Sequence, residues 1–203
     1  MSMHTSPHWE KEVFDHLIKI LSSPKFLHPQ GLGKEIPFFI YPFPPEKASQ
    51  MEELLPLLKK KLAAKQISVL EINLYDLAEE ILRREGDWEM LLEAEPEASK
   101  EEFLEELKSL LSPEEHLLPA IERKIEQKPH QILFLTGAGE VFPFIRTHGV
   151  LSHLQRLCKE TPLVLFFPGK YLFSPDLGTS LQLFGTLKNQ QYYRAFNLKE
   201  YFL

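Results

Sequence analysis

The chain has 203 residues, 43% of them hydrophobic and 26% charged, with a formal net charge of −6. This length and composition fit a single globular domain over residues 1–203 and exclude a disordered chain. The lone cysteine, Cys158, excludes an intramolecular disulfide. Because no apolar run is long enough for a membrane helix and the first ten residues lack a signal-peptide core, we expect a cytoplasmic protein without membrane association.

The charges are unevenly distributed along the chain. Residues 76–126 contain 17 acidic and 6 basic side chains, whereas residues 127–203 contain 4 acidic and 8 basic ones. An acidic middle repels phosphate groups, so direct DNA binding is disfavoured, although a local basic patch remains compatible with these numbers. The simplest interpretation of the acidic block is a solvated helical surface.

Hydrophobic spacing along the chain predicts alternating helices and strands. Helical periodicity predicts helices over residues 13–21, 46–65 and 149–159, and one that Asp76 caps. Continuous apolar runs predict buried strands over residues 36–41, 67–74, 131–136 and 162–167, with a short fifth candidate at 194–198. The pair Pro168-Gly169 is expected to end the fourth strand. Residues 86–127 are acidic and helical in composition, and we interpret them as an insertion between strands.

This alternation predicts a three-layer α/β domain with a mostly parallel sheet, similar to P-loop nucleotide-binding domains. A phosphate loop should follow the first strand, but that position holds Pro42, Pro44 and Pro45, and the Gly33-Lys34 pair precedes the strand. Prolines supply no amide donors for a phosphate. We therefore expect no nucleotide hydrolysis and no cofactor.

Residues 136–149 form the strand-end loop that is richest in chemistry. Thr136, Gly137 and Gly139 would allow close backbone approach, and Glu140 is suited to acid or base chemistry. The cations Arg146 and His148 could meet an anionic group. Three interpretations remain open for this loop: a partner surface, a nucleotide or nucleic-acid sensor, and an enzyme in which Glu140 acts as a base with His148 as its partner.

The remaining reactive side chains give weaker signals. His148 and His153 are five residues apart, which does not place them on one helical face for a metal. Cys158 is interpreted as a small apolar residue rather than a nucleophile. We predict no catalytic or metal-binding residues here.

Cations alternate with aromatic residues near the end of the chain. This group comprises Lys170-Tyr171, Lys188, Tyr192-Tyr193-Arg194 and Phe196. Such residues could stack a nucleobase, contact a partner protein, or pack at a sheet edge.

Several phrases of the sequence together resemble the BrxB family of bacterial BREX phage-defence systems. The most specific phrase is LFLTGAGEVFPFIRTH at residues 133–148. The others lie at residues 31–40, 73–77, 166–169, 183–185 and 192–196. This resemblance extends over nearly the whole chain except the acidic block.

The resemblance implies a non-catalytic adaptor in an antiviral complex that excludes phage DNA. It implies that the PglZ phosphatase-like protein and other BREX components are the partners. It supplies no catalytic residues. The alternative is a nucleotide or nucleic-acid sensing subunit that uses the loop at residues 136–149.

Overall fold

A computed structural model describes residues 7–28, 37–158, 161–174, 178–189 and 195–201. Seven strands form one sheet within these residues. They are β1 (Phe38–Phe43), β2 (Val69–Asn73), β3 (Ile132–Thr136), β4 (Leu163–Ser174), β5 (Gly178–Leu183), β6 (Leu187–Asn189) and β7 (Phe196–Asn197). The short fifth strand predicted from residues 194–198 corresponds to β7.

The main path of the sheet has the order β2-β3-β4-β1-β7, and every pair along it is parallel. The strands β5 and β6 are attached to the second half of β4 as an antiparallel extension. Because consecutive parallel strands need crossover connections, helices must separate them along the chain. The mostly parallel α/β sheet predicted from the sequence is confirmed.

Helices surround the sheet. The α-helices among the described residues are α1 (Pro7–Leu21), α2 (Pro24–Leu27), α3 (Ala48–Ala63), α4 (Leu74–Glu85), α5 (Asp87–Ala94), α6 (Lys100–Leu110), α7 (Leu118–Gln127) and α8 (Thr147–Leu157). Single turns occupy Pro45–Lys47, Pro113–Leu117 and Leu198–Glu200. No helix among the described residues is both long and apolar enough to span a bilayer.

Alternate residues of the strands point into two separate cores. In β1, Phe39 and Tyr41 pack with residues of α1, α2 and α3 on one face. Phe38 and Ile40 pack on the other face with residues of α4, α7 and α8. Burial on both faces explains why these strands are continuous apolar runs. The sheet is therefore the middle of three layers.

Two local predictions were wrong. The strand β4 does not end at Pro168-Gly169, because Pro168 pairs with Phe43 of β1 and Gly169 pairs with Leu183 of β5. At Gly169 a Cβ atom would lie 2.1 Å from the backbone oxygen of Gln182, so glycine is what lets β5 approach. The N-cap of α4 is Asn73 rather than Asp76, and its side chain accepts from the backbone N–H groups of Tyr75 and Asp76.

The acidic segment at residues 86–127 is helical, as its composition predicts. It contains α5, α6 and α7, and a π-helical turn begins at Pro113. A capping box starts α6: the hydroxyl of Ser99 accepts from the N–H of Glu102, whose carboxylate accepts from the N–H of Ser99. This segment packs on the α4 face of the sheet through Leu111, Leu117 and Ile121.

Candidate functional site

A pocket of about 400 Å³ lies between α3 and the carboxyl ends of β1, β2 and β3. This is where parallel α/β sheets bind their ligands. Apolar side chains make up much of its wall, among them Phe43, Met51, Leu55, Phe166 and Phe184. Three carboxylates, Glu52, Glu71 and Glu140, also line it, and no Lys, Arg or His is among its described lining residues. We call this cavity the sheet-end pocket.

The carboxylate of Glu71 is neutralised within the fold. One oxygen forms an ion pair with Lys59 Nζ of α3, and the other accepts a hydrogen bond of 3.1 Å from the hydroxyl of Thr136. The Glu71 side chain is only 20% exposed, so a paired cation is needed to offset its desolvation. The Glu71 carboxylate is therefore paired with Lys59 through one oxygen and with the buried Thr136 hydroxyl through the other.

The turn after β3 interlocks with the start of α4. Gly137 has φ +77°, a conformation that favours glycine. A Cβ atom at this position would lie 2.4 Å from Asn73 Oδ1, the oxygen that caps α4. The absence of a side chain at Gly137 thus leaves room for the Asn73 cap, which holds the ends of β2 and β3 in their relative positions.

Glu140 stands in a negatively charged part of the pocket. Burial raises the pKa of its carboxyl group, and the negative charges of Glu52 and Asp76 raise this pKa further. Neither Glu52 nor Glu140 has an ion-pair partner within the part of the chain that the structure describes. Among the described residues, the carboxylates that line the pocket are therefore only partly balanced by a cation, which favours a cationic ligand and disfavours a phosphate.

Two exposed aromatic residues stand beside the pocket. Phe184, which lines it, is 41% exposed and meets Phe142, which is 37% exposed, in an edge-on contact with ring centroids 6.4 Å apart. The φ of Phe184 is +53°, in the left-handed region that bulky residues rarely adopt. This positive φ belongs to the hairpin turn between β5 and β6, where Gly185 also has a φ of +72° and the Thr186 N–H donates to the Leu183 carbonyl at 3.2 Å. The turn places the Phe184 ring in the wall of the pocket.

The structure brings together only part of the predicted loop. Thr136, Gly137, Gly139 and Glu140 line the pocket. Arg146 is exposed at the residue before α8, and Lys170 is exposed on β4 beside the turn at Gly185. Neither of these cations is a lining residue.

The other predicted site residues are less informative. His148 lies in α8, and its side chain is outside the described part of the structure, as are residues Tyr192, Tyr193 and Arg194. Of the basic residues expected to surround the loop, the structure therefore places only Arg146 and Lys170, and it places both outside the pocket. The predicted pairing of Glu140 with His148 stays a prediction.

Cys158 and His153 both have structural surroundings in the described part of the chain. Burial raises the pKa of the Cys158 thiol to about 11, so the thiol is protonated at neutral pH and is a weak nucleophile. His153 instead contacts Glu122 of α7 at 2.9 Å, which links α7 to α8. Within the described residues, no three His, Cys, Asp or Glu side chains converge in a way that could hold a metal ion.

Sequence reasoning missed Glu52, Glu71 and Phe184 as pocket residues. Glu71 had a detectable signal, since it is the only charged residue in the apolar run at 67–74. A charge retained in a buried strand needs a partner or a role. Glu52 had no such signal, because it is followed by Glu53 on the polar side of an ordinary amphipathic helix.

Comparison with known proteins gives consistent matches. The family model described as "BREX protein BrxB" matches residues 70–198, a range that includes the acidic segment. A protein named BREX protein BrxB from Bacillus cereus (strain H3081.97) is 32% identical over 92% of this chain and 96% of its own. Another of that name from Escherichia coli O9:H4 (strain HS) is 29% identical over 88% of this chain and 86% of its own. No solved structure is a significant match.

Proposed function

The chain belongs to the BrxB family of BREX phage-defence proteins, and from this premise we propose that it is a non-catalytic adaptor subunit that holds BREX components together. We propose the PglZ-like phosphatase component as its direct partner and the cytoplasm as its location. The adaptor role means that its sheet-end pocket and the residues around it contact protein rather than a nucleotide.

The segment after β1 is the observation that carries this proposal. Pro44 and Pro45 have no backbone N–H, and the N–H of Lys47 already donates to the Pro44 carbonyl at 2.8 Å. A nucleotide-binding loop needs several free amide donors at this point, together with a lysine that reaches the phosphates. Pro44, Pro45 and Lys47, which lie between β1 and α3, therefore offer no free amide donor to a triphosphate.

The sheet topology supports the interpretation of a modified nucleotide-binding scaffold. The parallel order β7-β1-β4-β3-β2 is the order of a large class of P-loop domains, with the first strand beside the fourth. In this comparison residues 86–127 are a helical insertion between β2 and β3. Analogy of fold supports this interpretation and accounts for a pocket at the sheet end in a chain without a phosphate loop.

An exposed surface beside the pocket supports protein docking. We define the docking surface as Phe142, Arg146, Lys170 and Phe184, which are all exposed. Aromatic residues and arginine contribute most of the binding energy at protein interfaces. Large exposed aromatic side chains are otherwise unfavourable in water, so a partner that covers Phe142 and Phe184 would stabilise both proteins.

Co-expression with the PglZ-like protein of the same BREX system tests the proposal. We expect the two proteins to elute as one complex, and Arg146→Glu or Phe184→Ser to weaken the complex by at least about tenfold. Leu92→Ser is the matched control, since Leu92 is 52% exposed on α5 and belongs neither to the pocket lining nor to the docking surface. We expect phage protection to fall with the docking-surface variants and to survive the control.

Two results would contradict the proposal. The docking surface is wrong if both variants leave complex formation and phage protection intact. The non-catalytic role is wrong if ATP binds against the turn after β1, or if Glu140→Gln abolishes an activity of the isolated protein. Salt-dependent binding of DNA by the isolated protein would favour the alternative of a nucleic-acid sensor.

A further inference from the structure

We propose that the sheet-end pocket receives an arginine side chain from an apolar segment of a partner protein. The inference rests on the proposed function, because it names the chemistry that the docking partner presents. It assigns to the pocket a ligand that is opposite in charge to a nucleotide.

The size and position of the pocket suit the insertion of side chains. Its volume of about 400 Å³ is in the range of ligand-binding cavities, which are roughly 300–1,000 Å³. It opens beside Phe184 of the docking surface, so a segment covering that residue would reach the cavity. Volume alone does not distinguish an arginine from a nucleotide, and charge makes that distinction.

The charge of the pocket is complementary to a cation. The Lys59 ammonium group and the Thr136 hydroxyl already compensate Glu71. Glu52 and Glu140 come from different elements and have no ion-pair partner in the described residues. A cationic side chain placed between them would relieve their mutual repulsion and form charge-assisted hydrogen bonds. A phosphate would meet the same carboxylates with a like charge.

The aromatic walls favour arginine over lysine. Phe43, Phe166 and Phe184 line the pocket together with Met51 and Leu55. A guanidinium group stacks on aromatic faces and bonds two carboxylate oxygens at once, whereas an ammonium group is more strongly hydrated. The hairpin turn between β5 and β6 places the ring of Phe184 in the pocket wall, where such stacking would take place. Apolar residues flanking the arginine would cover Phe142 and Phe184.

A peptide titration of the full-length protein tests this inference. The probe is the acetylated, amidated tripeptide Leu-Arg-Phe, and its control replaces arginine by citrulline, the neutral isostere. We expect the arginine peptide to shift the NMR signals of the Gly137, Gly139 and Glu140 amides. We expect the citrulline peptide to bind about tenfold more weakly, which is the scale of one charge-assisted hydrogen bond.

Substitutions within the protein make the test specific. Glu52→Gln and Glu140→Gln should each weaken binding of the arginine peptide by about tenfold. Glu53→Gln is the matched control, since Glu53 is the next residue of α3, is exposed, and does not line the pocket. Equal binding by the two peptides, no change at the pocket amides, or equal affinity of all variants would each overturn the inference. So would ATP with Mg²⁺ shifting these amides.

The outcome is separable from that of the proposed function. If the PglZ-like protein binds the wild type and the Glu52→Gln/Glu140→Gln variant equally well, the adaptor role stands and the arginine site is wrong. If the wild type binds no BREX component at all, the proposed function is wrong. In that case the peptide titration still reports on the pocket itself.

Discussion

The parallel core and the extension formed by residues 169–189 are built differently, although β4 runs through both. In the core, β3 is buried on both faces, and Phe134 is completely inaccessible to solvent. In the extension, Leu181 and Leu183 are buried while Leu172 and Phe184 are 40% and 41% exposed. A strand that is buried on both faces contributes to the stability of the fold. A hairpin that is buried on one face only can present the side chains of its other face to a partner. The core thus supports the pocket, and the extension supplies part of its wall through Phe184.

The same substitution in the two regions should show this difference most strongly. Phe134→Ala removes a completely buried ring and should reduce the free energy of unfolding by about 3–5 kcal/mol. Phe184→Ala should cost less than about 1 kcal/mol, because the ring is partly exposed, while it weakens partner binding. Chemical denaturation measures the first effect and co-purification the second. Similar stability losses for the two variants would contradict the division.

The junction between the regions depends on Gly169. Because a Cβ atom there would lie 2.1 Å from the Gln182 backbone oxygen, Gly169→Ala should cost about 1–3 kcal/mol. Amide hydrogen exchange should become faster in β5 than in β1 or β3. Gly149→Ala is the control, since no atom lies within 4 Å of its Cβ position, and it should preserve or raise stability. Uniform acceleration of exchange across the sheet would show that the extension is part of the core's cooperative unit.

The core could be predicted from the sequence and the extension could not. Strands buried on both faces give continuous apolar runs, and their order of appearance with helices predicts a parallel sheet. The extension follows Pro168-Gly169, which local rules associate with the end of a strand. The close approach of β5 explains why β4 continues through a glycine, and this approach is a tertiary contact. The change of pairing along β4, from β1 and β3 to β5, therefore cannot be recognised from the neighbouring residues in the sequence.

At the boundary between strand ends and loops, the Asn73 cap can be tested by a double-mutant cycle. Asn73→Ala removes the acceptor for two N–H groups of α4 and should cost about 1 kcal/mol. Gly137→Ala should be more costly in the wild type than in the Asn73→Ala background, because its Cβ atom would collide with Asn73 Oδ1. Asn73→Ser retains a capping oxygen and is the control. If denaturation shows that the losses of unfolding free energy for Asn73→Ala and Gly137→Ala simply add, the proposed steric coupling between these two residues is contradicted.

The smallest expected effect concerns the ionisation of Glu140. The pKa of Glu140 is higher in the folded protein than in the unfolded chain, so the folded protein binds this proton more tightly. Protonation therefore stabilises the fold fully below the unfolded pKa, and this stabilisation is lost as the pH rises through the folded pKa. Glu140→Gln should therefore be slightly more stable than the wild type at neutral pH, by less than about 1 kcal/mol given solvent screening.

Two measurements check this effect of pH. The stability difference between Glu140→Gln and the wild type should shrink as pH falls towards the ordinary glutamate value of 4.5. In an NMR titration of the wild type, Glu52→Gln should lower the pKa of Glu140, because it removes a neighbouring negative charge. The control Glu53→Gln should leave this pKa unchanged. A stability difference that grows at low pH would contradict the assignment.

The candidate site was predicted in part. The loop after β3 was identified because glycines and a carboxylate follow a buried strand, and four of its residues line the pocket. Arg146 and His148 suggested an anionic ligand, but Arg146 does not line the cavity and the side chain of His148 lies outside the described residues. Glu52 reaches the pocket from α3, which is remote from this loop in sequence. The sign of the potential thus depends on packing between distant segments.

The continuity of β4 has a mechanical consequence. Its first half is hydrogen-bonded between β3 and β1, and its second half holds β5. A partner that pulls on the hairpin would transmit force along β4 into the centre of the sheet. In the centre of the sheet, this force would act as shear on two hydrogen-bond ladders, one between β4 and β1 and one between β4 and β3. The protein would resist such tension better than if its hairpin were attached through a separate loop.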